Sequence, residues 1–277
     1  MTERRLAAPI LFACALLATP ALAQNRYAPI PPLRLGESLL NLPTPRTIGH
    51  RSWEIRFTHR FSQPINEGDE HSLWGLDSSA DIGIGLAWAA TPHLQLSIFR
   101  TDLLDDFEIG AKYMIVEEAP AIPLSIAVRG GVDWRTEEHV ERRTSWFAQA
   151  IVSKRIGRRV ELFVVPSFVT DAQIDGNRAF ERAFNLPVGI AWEIRPELSL
   201  IAELVPENSD LPDDLESSIA WAVGIKRAVG GHYFEVLLSN SRATHVDQYL
   251  TSTLLGTGLR SGDFHLGFNL ERRFGGR

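Results

Sequence analysis

The chain has 277 residues, 44% of them hydrophobic, and a formal net charge of −6. That length suits one large domain. The mildly acidic balance has the wrong sign for gripping a phosphate backbone, so nothing points to nucleic acid as a partner.

The N-terminus has the layout of a secretory signal peptide. Arg4 and Arg5 form a short basic region, Ala7 to Ala18 is almost purely apolar, and Ala21-Leu22-Ala23 is a small-x-small cleavage site. The apolar run is shorter than the about 20 residues a membrane-spanning helix needs. Cleavage after Ala23 is therefore expected. Leu11-Phe12-Ala13-Cys14 loosely imitates a lipoprotein box, with Phe12 a poor fit. The segment 1–23 carries two Arg and one Glu, so the chain from Gln24 onward has a net charge of −6 − 1 = −7. Cys14 is the one cysteine of the chain, so the mature protein would hold no disulfide, no thiol nucleophile and no cysteine-built zinc site.

Residues 24–49 form an arm broken by five prolines, with at most one short helical turn at Leu35 to Leu40. The sequence leaves open whether the arm lies in the periplasm or enters a barrel lumen. From residue 50 the hydrophobic period switches to two. Trp53, Ile55, Phe57 and His59 alternate with Glu54, Arg56 and Thr58; Ile82, Ile84, Leu86 and Trp88 alternate with Gly83, Gly85 and Ala87. This is the strand signature. Strands are expected near 50–61, 79–90, 93–101, 105–116, 123–133, 143–156, 159–169, 181–194, 197–205, 217–228, 231–239 and 263–274. Beyond residue 23 there is no apolar run long enough for a spanning helix, so a membrane location requires a closed barrel.

The connections alternate in length. Those at Ala90-Thr91-Pro92, Glu117 to Ile122, Gly157-Arg158, Arg195-Pro196 and Val229-Gly230 are short, whereas 62–78, 134–142, 170–180, 206–216 and 240–262 are long and polar; 102–104 is the short exception. Short periplasmic turns and long external loops are the habit of outer-membrane barrels with an even strand number. The tryptophans fall mostly toward strand ends, as interfacial girdles would. In the last strand Phe264, Leu266, Phe268, Leu270 and Phe274 share one parity. That amphipathic strand resembles the recognition signal of the outer-membrane assembly machinery, although here Gly275-Gly276-Arg277 follows the aromatic. The fold class is thus all-β: a single antiparallel transmembrane β-barrel of about 12 strands over 50–277, located in the outer membrane and surrounded by its lipids.

Four stretches resemble an uncharacterised family of bacterial membrane-bound β-barrels. They are Thr58-His59-Arg60-Phe61 with Leu73-Trp74-Gly75-Leu76-Asp77-Ser78-Ser79-Ala80-Asp81-Ile82; Ile98-Phe99-Arg100 with Phe107-Glu108-Ile109-Gly110-Ala111-Lys112-Tyr113; Val164-Val165-Pro166-Ser167-Phe168; and Glu203 with Phe234-Glu235-Val236-Leu237-Leu238-Ser239-Asn240-Ser241. The resemblance covers most of residues 50–274 and implies an architecture without an established activity.

The candidate site residues are charges of the lumen or rim. Asp77 to Asp81 opens the second strand. It reads either as local turn chemistry or as part of an internal ladder of Arg60, Asp77, Asp81 and Arg100. Lys112, Arg129, Glu161, Glu193, Glu203, Lys226 and Glu235 lie within strands, where a lipid-facing Lys or Arg at midplane costs about 2–4 kcal/mol, so they are expected to point inward. Parity agrees for Glu193, which shares a face with Gly189 and Ala191, and for Lys226, which shares one with Ala222 and Gly224. Such charges either pair and plug a barrel or line a water-filled path. The eight His residues show no tight ligand spacing, so no metal or cofactor is expected. Ser239 and His232 stand at opposite ends of one strand, too far apart to act together at about 3.3 Å per residue, and no enzyme is expected. The function expected is a passive channel for small solutes, with a structural or partner-binding barrel and an outer-membrane enzyme as alternatives. The acidic 206–216 loop favours cations, opposed by Arg60, Arg100 and Arg129. Oligomeric state is not legible.

Overall fold

The computed structural model describes residues 33–138, 144–175, 178–207, 218–251 and 263–275. The expected signal peptide lies outside the described residues. Fourteen strand segments follow in chain order. They are β1 (Ser52–Phe61), β2 (Ala80–Ala89), β3 (Leu94–Thr101), β4 (Asp106–Val116), β5 (Ser125–Arg135), β6 (Thr144–Ile156), β7 (Val160–Val164), β8 (Ser167–Asp175), β9 (Arg178–Asn185), β10 (Val188–Arg195), β11 (Leu198–Val205), β12 (Ala220–Val229), β13 (His232–Ser239) and β14 (His265–Gly275).

Two prolines explain why fourteen segments make twelve staves. β7 and β8 are one strand interrupted at Val165-Pro166, and β9 and β10 are one strand interrupted at Leu186-Pro187. Proline removes one ladder donor, yet inward and outward faces keep alternating through both breaks. β6 accordingly pairs with both β7 and β8, β10 with β7, and β9 with β8. All pairings are antiparallel, and β1 meets β14 from Ser52↔Gly275 to Arg60↔Gly267. The result is a single closed antiparallel barrel of twelve strands.

Closure leaves no sheet edge, which is what hydrocarbon demands. The outer face is apolar: Ile82, Ile84, Leu86 and Trp88 of β2 are exposed, whereas Gly83, Ala87 and Ala89 are buried inside. Gly83 and Gly85 are needed because Phe99 leans inward from β3; a Cβ at these positions would lie 2.4 and 2.7 Å from its ring. Trp53 and Trp88 stack at 5.7 Å near one end, where Trp192 is also exposed. Trp134 and Trp146 are exposed near the other end. Aromatic girdles at two interfaces are the outer-membrane arrangement, and this barrel is an outer-membrane protein in contact with its lipids.

The first and last strands begin and end beside the tight turns at 157–159, 196–197 and 230–231, which marks that end as periplasmic. Two expectations need correction. The external loop expected at 170–180 is mostly ladder: β8 runs to Asp175 and β9 starts at Arg178, with Ala172↔Phe180 paired. Turn-favouring Asp171, Asp175, Gly176 and Asn177 make that stretch read as a loop. The helical turn expected at Leu35 to Leu40 is a tight hairpin-like loop instead, with Leu39 N–H donating to Leu42 O at 2.8 Å and Thr44 N–H donating to Glu37 O at 2.8 Å.

Candidate functional site

The arm lies inside the barrel, which decides between the two places the sequence left open. Leu33, Leu35, Leu39, Leu40, Leu42 and Ile48 are all buried. Four of these leucines, with Leu33, join Val246, Tyr249 and Leu250 in one core against Phe163, Ala191, Ile201, Ala222 and Leu237 of the wall. That wall face is made of small and apolar inward residues, so the leucines find room and dry partners. Val246–Tyr249 is a single helical turn in the connection between β13 and β14, and it is buried. The lumen is therefore filled from both ends, by residues 33–48 and by residues 240–251.

Inward charges tie the arm down through its own backbone. The Glu203 carboxylate accepts the N–H groups of Leu40 at 2.7 Å, Asn41 at 3.0 Å and Leu42 at 2.9 Å. Successive N–H groups converging on one anion form a nest. Lys226 donates to Ser38 O at 2.6 Å and Leu39 O at 3.0 Å, and its Nζ is 2.6 Å from Glu235 Oε1. Lys112 donates to Glu37 O at 3.3 Å and Thr44 O at 3.2 Å. Arg46 of the arm bonds Glu161 at 2.7 and 2.9 Å. Arg60 bridges Asn269 Oδ1 at 2.7 Å and Asn41 Oδ1 at 2.9 Å. Arg129 pairs with Glu108 and donates to Gln149 Oε1 at 2.8 Å. Beside the arm, on the β1–β5 side, a charged cavity is lined by Glu37, Glu54, Arg56, Glu108, Lys112 and Arg129. Burial alone would raise the Glu37 carboxyl, but Lys112, Arg56, Arg129 and a hydrogen bond from Gln95 hold it below the usual carboxylate value.

Seven of the eleven expected charges meet at this plug or its wall: Arg60, Lys112, Arg129, Glu161, Glu203, Lys226 and Glu235. Of the ladder of Arg60, Asp77, Asp81 and Arg100, only Arg60 and Asp81 are neighbours, as a register pair of β1 and β2. Arg100 shares the outward parity of Leu96 and Ile98 and pairs with exposed Asp105 at the rim. Asp77 is exposed in the loop before β2, and Asp81 pairs with Arg242 at 2.9 Å. Glu193 points inward but lies at the periplasmic turn, where it accepts the N–H of Glu197 at 3.4 Å. Of the acidic rim residues, Glu207 is exposed, and Asp210, Asp213 and Asp214 lie outside the described residues.

Sequence reasoning passed over Arg56, which donates to Leu40 O at 2.7 Å, and Glu271, which accepts from Ser38 Oγ at 3.0 Å. Both lie on the inward parity of their strands, and that parity was the available signal. It also passed over a cluster at the external plug: Asp106 of β4, Asp133 of β5, and His245 and Asp247 of the β13–β14 connection, all buried, with one ligand-type atom from each within 4.8 Å of the others. Three separate chain segments supply it, so spacing holds no trace of it. Arg135 hydrogen-bonds Asp247, and Val246 N–H donates to Glu108 at 3.2 Å. Burial and then Asp106 push the Asp247 carboxyl up to about 7, against the pull of Arg135 and His245.

Three solved structures resemble the chain, each with a TM-score below 0.5. The NanC porin has a TM-score of 0.49 and 6% identity, covering 80% of this chain and 99% of that one. An outer membrane channel from Pseudomonas putida F1 has a TM-score of 0.47 and 12% identity, covering 82% and 96%. The outer membrane phospholipase A of Escherichia coli has a TM-score of 0.43 and 9% identity, covering 80% and 92%. Likenesses this distant carry nothing about activity. No curated protein matches the chain. Residues 35–274, the arm's buried part included, match the family described as "Membrane bound beta barrel domain (DUF5777)", and the chain belongs to that family.

Proposed function

We propose that the barrel is a channel for small polar solutes, held shut by its own N-terminal arm and β13–β14 connection. The observation that carries this reading is the chemistry of the contact between arm and wall. Wall charges Glu203, Lys226, Lys112 and Arg56 bind backbone N–H and C=O groups of the arm. Water can replace each of those partners when the arm leaves, and the exposed wall would then be a hydrated, charged path. A barrel that served only as a permanent solid post gains little from buried ion pairs, since well-packed apolar residues of similar volume are often as stable or more so. Twelve strands bound the bore well below that of general porins with 16–18, so solutes passed are small. The terminal strand, with its outward Leu266, Phe268, Leu270 and Phe274, is the segment the assembly machinery would recognise.

Planar-bilayer conductance tests the reading, on the refolded protein and on a variant lacking residues 24–49 and carrying a Gly-Ser linker in place of residues 241–251. The full barrel is expected to conduct rarely, and the shortened one steadily. A shortened barrel that still migrates faster unboiled than boiled, yet never conducts, would overturn the channel and leave a structural or partner-binding role.

A further inference from the structure

We propose that Asp106, Asp133, His245 and Asp247 form a site for a divalent transition-metal ion, which staples the β13–β14 connection to the barrel wall. One atom from each residue lies within 4.8 Å of the other three, and all four side chains are fully buried.

The polar atoms of this cluster lack the partners that burial normally requires. Among the described residues, neither oxygen of Asp133 and neither ring nitrogen of His245 has a hydrogen-bond partner, and Oδ1 of Asp106 and Oδ1 of Asp247 also lack one. His245 Nδ1 stands 3.2 Å from Asp106 Oδ2 and 4.0 Å from Asp133 Oδ1 without a hydrogen bond to either. Such atoms left bare cost about 1–3 kcal/mol each, and more when charged. Electroneutrality points the same way. With an ion bound, the three carboxylates would carry −3, and Arg135, bound to Asp247, returns +1. A dication supplies the remaining two charges. Glu108 and Arg129 nearby already neutralise each other.

Ligand chemistry narrows the ion. Oxygen donors alone would suit calcium or magnesium, but an imidazole among them favours manganese, iron or zinc. A span of up to 4.8 Å is close to twice the about 2.0–2.2 Å bond of such an ion, so small inward movements complete the shell. Two ligands come from adjacent strands, Asp106 in the pair Asp106↔Arg135 and Asp133 in the pair Glu108↔Asp133, and two from the plug. The ion would therefore close the external end of the lumen in a way that depends on metal supply.

The test uses untagged, full-length refolded protein, stripped with chelator and dialysed against Mn²⁺ or Zn²⁺ alone, with bound metal measured by atomic emission. One equivalent is expected, undisplaced by millimolar Ca²⁺. An Asp133→Asn/His245→Ala variant that retains its heat-shifted migration should bind at least about a hundredfold more weakly. Zinc-edge absorption of the wild-type protein, which needs no variant, should show a shell of one nitrogen and several oxygens. Absence of a stoichiometric ion, equal binding by the folded variant, or a shell of several imidazoles would each overturn the site. None of these readouts depends on conductance, so failure of the channel reading leaves them intact.

Discussion

The carboxylate of Glu203 and the backbone N–H of Leu40, 163 residues apart in the chain, meet at 2.7 Å inside the barrel. With Asn41 and Leu42 bound to the same carboxylate, this contact fixes the tip of the arm well above the periplasmic mouth. Removing the acceptor leaves three arm N–H groups without it, those of Leu40 and Leu42 buried. Glu203→Ala should therefore loosen the arm, destabilising its seat by about 2–4 kcal/mol. Channel openings in a planar bilayer should become at least tenfold more frequent than in the wild-type protein, and unchanged openings would show that the arm is held elsewhere.

Lys226 joins Glu235, Glu271 and two carbonyls of the arm. Lys226→Met takes their shared cation from two buried carboxylates, and breaking a buried pair from one side costs about 3–5 kcal/mol. The single variant should lose folded, heat-shiftable protein in urea well before wild type. Lys226→Met combined with Glu235→Gln should recover part of the loss. A double variant no better than the single one would place the cost in the arm contacts alone.

Acid should loosen the arm through Glu37. Its carboxyl is held below the ordinary value of 4.5 in the folded protein. A depressed carboxylate stabilises the folded state above its unfolded value and loses that contribution as pH falls through the folded one. The Glu37 contribution should raise opening frequency below about 4.5. Glu37→Gln should remove the acid-dependent part of that rise; a variant with the same pH profile would assign the effect to other carboxylates.

Orientation can be read with introduced cysteines, because Cys14 is the one native cysteine and lies in the expected signal peptide. An impermeant maleimide applied to whole cells should label Asp69→Cys, in the loop between β1 and β2, and spare Arg158→Cys, in the tight turn before β7. The reverse pattern would invert the barrel.

The sequence by itself determined the wall. Lipid outside and a packed lumen inside impose a period of two that survives without any tertiary information, so β1 to β6, β11, β13 and β14 fall within two residues of their expected bounds, and β12 within three. The inward direction of Lys112, Glu203 and Lys226 follows from the same parity, since a charge facing hydrocarbon is too costly. Parity fails where turn-forming residues crowd a strand, which is why the ladder from Ala172 to Phe180 read as a loop, and where the strand is at the rim, as with outward Arg100. What fills the barrel was decided only by tertiary structure. Leu35, Leu39, Leu40 and Leu42 look like any proline-broken arm until Ala191, Ala222 and Leu237 supply the cavity that takes them. Likewise Asp106, Asp133, His245 and Asp247 come together only because barrel closure and an inward-folded connection bring three distant segments to one point. No local spacing records a contact that loop closure creates.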